Sequence, residues 1–191
     1  MLNTRKMLYG LDDVCIISAK TSYVNSRSEC KVVDVDSTLP IFVAPMSCLV
    51  NYENYPNITR LRVLDLRDKK GKNITARINA IIPRSVSLSD RVKSLESGNW
   101  VAFSLTEADR VAQGEIEITP KEDRHNFRIC IDMANGHMKE ILDVCKKLKS
   151  FFKKRMLFVD LMVGNIANPE TYREFCNSGN IDYVRLGIGS G

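Results

Sequence analysis

Six short apolar segments recur along the chain, and proline, glycine or polar residues separate them. They are 41–44, 74–82, 100–105, 127–133, 157–163 and 183–188. Several are nearly continuous in hydrophobic residues instead of alternating with polar ones, which is typical of parallel strands buried on both faces. The pattern therefore predicts six parallel strands in sequential order.

Helices are predicted between these strands, at 138–152, from Asn168 to Gly179, from Ser87 to near Gly98, and within 51–66. Residues 138–152 carry apolar side chains at helical spacing. Asn168 is a suitable N-cap because Pro169 follows it at the first helical position. Pro56 is expected to interrupt the helix within 51–66. Residues 106–126 show one short alternation, at 115–118, and give no clear element.

Strands that alternate with helices indicate right-handed βαβ units and one parallel sheet, hence an α/β fold. An open Rossmann sheet usually carries its glycine-rich loop after the first strand, whereas here the glycines cluster at 187–191. A (β/α)8 TIM barrel fits better. Since a complete barrel needs about 250 residues, we expect an incomplete barrel of about six βα units, formed by residues 1–191 as a single domain.

Composition and charge narrow the function classes. The net charge is +5, but the basic residues are dispersed, with the densest runs at 69–72 and 153–155. Solvated turns explain these runs better than a nucleic-acid surface, because no aromatic residues are interleaved. The six cysteines have no C-x-x-C spacing, which favours reduced thiols over a zinc site or disulfides. No apolar leader or membrane-spanning stretch is evident, so a cytoplasmic location is expected.

In a βα barrel the carboxyl ends of the strands form the active face, so the polar groups at these ends are the candidates for chemistry. They are Ser47, Cys48, Arg84, Asp132, Asn135, His137, Asn165 and the glycines of 187–191. Residues 132–137 combine a carboxylate, a carboxamide and an imidazole, which could bind a ligand. The alternative is that this segment is only a loop that caps the following helix. Gly164 permits either a tight turn or a close backbone approach to a ligand.

Two further segments have a chemical and a plain interpretation. Residues 187–191 could turn backbone groups toward an ion, or form a flexible tail. Arg27, within the polar run 25–29, could contact a phosphate, or the run could be an exposed loop.

Taken together, these segments resemble the IMP dehydrogenase/GMP reductase family. The residues that carry the resemblance are 11–14 (LDDV), 25–29 (NSRSE), 41–46 (IFVAPM), 132–137 (DMANGH), 163–167 (VGNIA) and 184–191 (VRLGIGSG). Dehydrogenases of the family usually carry a paired CBS module soon after the second strand, and this chain leaves no room for one. The Ala134–Gly136 sequence looks like the reductase.

The resemblance implies roles for particular residues. NADPH, or NAD in a dehydrogenase, would contact Ser26, Arg27, Arg84, Asp132, Met133 and Ala134, with Ser26 and Arg27 reaching a neighbouring subunit's cofactor. Met46, Asn165 and Gly189 would contact the purine nucleotide, GMP or IMP. Gly189 and Gly191 would offer backbone carbonyls to a monovalent cation, K⁺. The family also implies a homo-oligomer, a tetramer.

The activity implied is NADPH-dependent reductive deamination of GMP to IMP through a covalent cysteine intermediate. The family's attacking cysteine would follow residue 191, so we expect no catalytic residue within this chain and an inactive isolated chain. One alternative is an IMP dehydrogenase, which oxidises IMP to XMP with NAD. Another is a truncated, non-catalytic nucleotide-binding or assembly homologue. The Ser47–Cys48 pair favours this alternative, because the family usually has Asp-Thr at that position.

Overall fold

Strands and helices alternate through most of the chain. The computed structural model describes residues 38–67, 73–120 and 126–186, all of which lie in one compact unit, Val32–Gly191. The strands are β1 Thr38–Val43, β2 Arg62–Arg67, β3 Asn73–Ile82, β4 Trp100–Phe103, β5 Asn126–Asp132, β6 Phe158–Ile166 and β7 Tyr183–Leu186. The helices are α1 Tyr55–Arg60, α2 Leu88–Glu96, α3 Leu105–Gln113, α4 Glu140–Lys154 and α5 Pro169–Ser178.

Six of the strands form one parallel sheet in the order β1-β3-β4-β5-β6-β7. Each neighbouring pair along this path is parallel, as in the pairing of Val101 with Ile129 between β4 and β5. These are the six predicted segments in the predicted order. The architecture is that of an incomplete (β/α)8 barrel, so the predicted fold class is confirmed.

The sheet separates two apolar cores, because successive side chains of a strand point to opposite faces. Ile81, Trp100, Ala102, Cys130 and Met162 form the inner cluster, with Phe42 packed against it. The larger outer cluster lies between the sheet and the helices and includes Phe103, Phe127 and Phe152. Near-continuous apolar strands are what burial on both faces requires.

Helix ends match the capping signals in the sequence. The Ser87 hydroxyl accepts a hydrogen bond from the Asp90 N–H at the start of α2. The Asn168 side chain accepts from two backbone N–H groups at the start of α5, and Gly179 ends that helix in the left-handed region at φ 65°. α4 covers 140–154, two residues later at each end than its apolar spacing predicts.

Three features differ from what the sequence alone indicates. β2 pairs antiparallel with the first half of β3. It occupies part of 51–66, where a helix was predicted and no strand. Pro56 stands at the start of α1 and does not interrupt it. The alternating run 115–118 is not a strand: Ile116 and Ile118 are buried in a loop that packs on the outer core.

α3 occupies the region that gave no clear element. A capping box begins this helix: the Ser104 hydroxyl accepts from the Glu107 N–H, and the Glu107 carboxylate accepts from the Ser104 N–H. The Ser-x-x-Glu spacing is a sequence signal for such a start, hidden here because Ser104 had been assigned to the preceding strand. In the described part of the chain, no helix has the length and apolarity needed to cross a membrane.

Candidate functional site

Charged side chains meet at the carboxyl ends of β3, β5 and β7. Arg84 follows β3 directly after Pro83, Asp132 is the last residue of β5, and Arg185 lies within β7. In β5, Asp132 shares a face with Cys130, which belongs to the inner cluster. The three charged residues therefore gather at one end of the barrel interior, the end where βα barrels carry their active sites.

Asp132 is held between the two arginines. Arg185 Nη1 lies 2.5 Å from Asp132 Oδ1, and Arg84 Nε lies 3.5 Å from Asp132 Oδ2. The side chains of Arg185 and Asp132 are 20% and 21% exposed, whereas that of Arg84 is 48% exposed. Two cations facing one carboxylate leave a net positive charge, and Arg84 is the member that can offer it to a ligand.

Burial and pairing shift the pKa values of Arg185 and Cys130. Burial alone would lower the pKa of Arg185, but its contacts with Cys130 and Asp132 outweigh burial, and the pKa lies above its usual value. Burial raises the pKa of the Cys130 thiol to about 12, even though Arg185 Nη1 lies 3.8 Å from its sulfur. Cys130 is therefore a neutral thiol near pH 7 and does not act as a nucleophile.

The loop after β5 is tied to the end of β6 through backbone hydrogen bonds. The Met133 N–H donates to the Gly164 carbonyl at 2.8 Å, and the Asn165 N–H donates to the Met133 carbonyl at 2.6 Å. The Gly136 N–H donates to the Asn165 carbonyl, and a Cβ at Gly136 would lie 2.6 Å from that same oxygen. These contacts hold Met133 and Asn165 in fixed positions beside Asp132, while Ala134 is exposed.

His137 links this loop to α5. Its Nε2 accepts a hydrogen bond from the Ala167 N–H at 3.3 Å, and its Nδ1 lies 2.9 Å from Thr171 Oγ1. Asn135 does not cap α4, which begins at Glu140; its side chain accepts from the His137 N–H. The arrangement gives His137 a positioning role between two loops.

A cavity of about 450 Å³ opens beside the cluster, lined among others by Phe42, Asn165 and Arg185. Its size falls within the usual range for small-molecule sites. Asn165, a predicted substrate contact, lies on this wall. Met46, the other described candidate for substrate contact, is exposed in the loop after β1 and does not line the cavity.

Four predicted site residues lie outside the described ranges: Ser26, Arg27, Gly189 and Gly191. Among the residues that the structure does describe, no group of three or more His, Cys, Asp or Glu side chains could hold a metal ion. Arg185 was not a candidate from the sequence. The sequence could have indicated it, because Arg185 is a charged residue within a short apolar strand. It lies two residues after Tyr183 and therefore on the same, inner face.

Comparison with known proteins shows which family the chain resembles. Residues 101–191 match the family model described as "IMP dehydrogenase / GMP reductase domain". The GMP reductase of Helicobacter pylori (strain G27) is 26% identical over 190 residues, which cover 96% of this chain and 52% of that protein. The GMP reductase of Streptococcus pyogenes serotype M3 is 32% identical over 100 residues, which cover 52% of this chain and 28% of that protein.

The chain thus spans about half the length of the Helicobacter relative that it matches. The matched region of the family model includes Asp132 and Arg185, two of the three charged residues of the cluster. The resemblance predicted from the sequence is confirmed: over residues 101–191 this chain is similar to the IMP dehydrogenase / GMP reductase family.

Proposed function

We propose that this chain contributes the cofactor-binding part of a purine-nucleotide oxidoreductase of the GMP reductase type, which converts GMP to IMP with NADPH. The observation that carries the proposal is the Arg84–Asp132–Arg185 cluster beside the interior cavity. The two relatives reported above are GMP reductases, and the Ala134–Gly136 sequence favours the reductase over the dehydrogenase.

The residues present fit a dinucleotide. Arg84 is half exposed and shares its carboxylate partner with Arg185, so it retains guanidinium donors for a phosphate group. Asp132, which contacts both arginines, would accept from the carboxamide at the nicotinamide end, with Met133 and Ala134 beside it. NADPH, when bound, supplies the hydride. Ser26 and Arg27 are proposed to reach the cofactor of a neighbouring subunit.

The substrate and cation contacts remain proposals drawn from the family. Met46, Asn165 and Gly189 would contact the purine nucleotide, and Gly189 and Gly191 would bind K⁺ through their carbonyl oxygens. A homotetramer in the cytoplasm is likewise proposed from the family and the cysteine pattern. Of these residues, Asn165 has direct support, because it lines the cavity next to Arg185.

The reaction needs a cysteine thiolate to attack the purine C2 and so divide one difficult step into two easier ones. Burial raises the pKa of both Cys130 and Cys145 to about 12, so neither supplies the thiolate near pH 7. The attacking cysteine is proposed to follow residue 191, and the isolated chain is expected to bind cofactor without turnover.

NADPH binding tests the proposal. Titration of the chain with NADPH, followed by nicotinamide fluorescence, should show binding that Arg84→Ala weakens by about 1–3 kcal/mol, the cost of one charge-assisted contact. Arg110→Ala is the matched control, because Arg110 is 46% exposed and also pairs with one carboxylate. NADPH that does not bind the chain, or binds Arg84→Ala as tightly as the unchanged protein, would contradict the proposal.

The dehydrogenase is the second candidate, since the family model covers both activities. Titrations with NAD and with NADP separate the two candidates, because a dehydrogenase should prefer NAD over NADP. A chain that binds GMP or IMP but neither dinucleotide would instead be a non-catalytic nucleotide-binding homologue.

A further inference from the structure

A basic groove lies between α3 and α4 on the outer side of the sheet. Its volume is about 440 Å³, and its walls include Ala112 from α3 and Lys146, Ser150, Phe151 and Lys154 from α4. α4 follows β5 and returns to β6, so its last turn lies at the amino ends of the strands, opposite the Asp132 end. The groove is therefore separate from the candidate active site.

The positive charge in this groove is largely uncompensated. Lys147 Nζ pairs with Asp109 Oδ1 at 2.8 Å, but within the described ranges no ion pair involves Lys146, Lys154 or Arg155. Among the residues that the structure describes, no carboxylate lines the groove. The α4 dipole places about half a negative charge at this helix end, which offsets only a small part of three formal positive charges.

Arg155 is held flat at one end of the groove. Its guanidinium carbon lies 3.9 Å from the centroid of the Phe151 ring, a distance that indicates a stacked cation–π contact. Phe151 is itself fixed by an edge contact with Phe152 at 5.4 Å between centroids. Arg155 is exposed, so the guanidinium face turned away from Phe151 is open to stack on a flat ring such as a nucleobase.

Lys146, Ser150 and Lys154 form a row along α4, one turn apart, since residues four apart lie on the same face of a helix. This row spans about 12 Å at the helical rise per residue. It places two ammonium groups and a hydroxyl beside the Arg155–Phe151 stack. Such a row suits the phosphates of a ligand whose base rests on Arg155.

We propose that this groove is a second nucleotide site, which binds a nucleoside diphosphate with its base on Arg155 and its phosphates on Lys146 and Lys154. The volume lies in the range of small-molecule sites. The positive charge favours an anion, and the stacked guanidinium favours one that carries a planar base. The site is independent of the proposed NADPH-binding residues.

Calorimetric titration of the full chain with ADP tests this inference, with adenosine and inorganic phosphate as comparison ligands. ADP should bind, and both comparison ligands should bind much more weakly. Lys154→Gln and Arg155→Gln should each weaken ADP binding about tenfold, the effect of losing one charge-assisted contact. Arg155→Lys retains the charge without the planar group, so it should also weaken ADP binding while leaving phosphate binding unchanged.

Lys153→Gln is the matched control, because Lys153 has the same charge on the same helical turn but does not line the groove. It should leave ADP affinity unchanged. Equal weakening by Lys153→Gln and Lys154→Gln would mean nonspecific attraction and would overturn the proposal. So would absence of ADP binding, or a preference for an acidic peptide over ADP.

Discussion

The ring of Phe42 on β1 lies 6.1 Å from the ring of Tyr183 on β7, centroid to centroid, although these strands are at the two ends of the parallel path. In a flat sheet, five strand spacings would separate them by about 24 Å. Trp100 on the intervening β4 contacts both rings, at 5.5 Å and 5.3 Å. The sheet is therefore curled so that its inner face closes on itself.

Trp100 reports on this closure, since it is the chain's single tryptophan and is 3% exposed. Its fluorescence should be blue-shifted and poorly quenched by acrylamide. Phe42→Ala should shift the emission to the red, increase quenching, and lower the free energy of unfolding by about 3 kcal/mol, because it leaves a cavity in the inner cluster. Phe158→Ala, at a ring 71% exposed on β6, should change none of these three quantities. Unchanged Trp100 emission in Phe42→Ala would contradict the curled sheet.

The parallel strands could be predicted from the sequence because burial on both faces leaves an almost uninterrupted apolar run, as in 157–163. β2 could not be predicted, because Arg62–Arg67 mixes charged and apolar residues and has no continuous apolar run. It pairs with the first half of β3, whereas β4 pairs with the end of β3. The prediction that Pro56 interrupts a helix was wrong, because proline is also favoured in the first turn, where Pro56 lies.

The candidate site was predictable in part. Strand ends on one sheet edge bring Arg84 and Asp132 together whatever their separation in sequence, and the structure places them in contact. Arg185 was missed because β7 was considered as an apolar strand, and a strand's inner face is known only once the curl is known. The capping interaction of Ser104 with Glu107 was missed because the predicted strand 100–105 ends two residues later than the observed one, and this boundary error conceals the N-cap.

Gly164 is required by the close approach of β7 to β6. A Cβ at this position would lie 2.5 Å from Arg185 Cβ and 2.7 Å from the Arg185 carbonyl oxygen. Gly164→Ala should displace β7, loosen the pair between Arg185 and Asp132, and lower the free energy of unfolding by about 3 kcal/mol, at the upper end for overpacking because backbone must move. Urea denaturation measures this loss.

Gly179→Ala provides the comparison. Gly179 has φ +65° and nothing within 4 Å of an added Cβ, so only left-handed strain opposes the substitution, at a cost of about 1 kcal/mol. A smaller loss for Gly164→Ala than for Gly179→Ala would show that β7 does not pack on β6 as described.

Arg91 and Glu107 form an ion pair beneath α3. Arg91 Nη2 lies 2.6 Å from Glu107 Oε1, and the Arg91 side chain is only 4% exposed. Arg91 also donates to the carbonyls of Val86 and Ala102, and its guanidinium stands over the Phe103 ring. Removing Glu107 would leave a buried cation without its counter-charge, which is strongly destabilising.

This pair makes stability depend on pH. Burial would raise the pKa of Glu107, but hydrogen bonds from Arg91 and from the Ser104 N–H outweigh burial, and the pKa lies below its usual value of 4.5. A depressed carboxyl pKa stabilises the fold above the unfolded-state pKa, and this contribution is lost as pH falls through the folded-state pKa.

Glu107→Gln should therefore lower the free energy of unfolding by about 2–3 kcal/mol near pH 6, and the difference from the unchanged protein should shrink below about pH 4. Urea denaturation at both pH values measures it. Glu115→Gln, which removes an exposed pair with Arg110, should cost at most about 1 kcal/mol, and a pH-independent loss in Glu107→Gln would exclude the ionised pair as its cause.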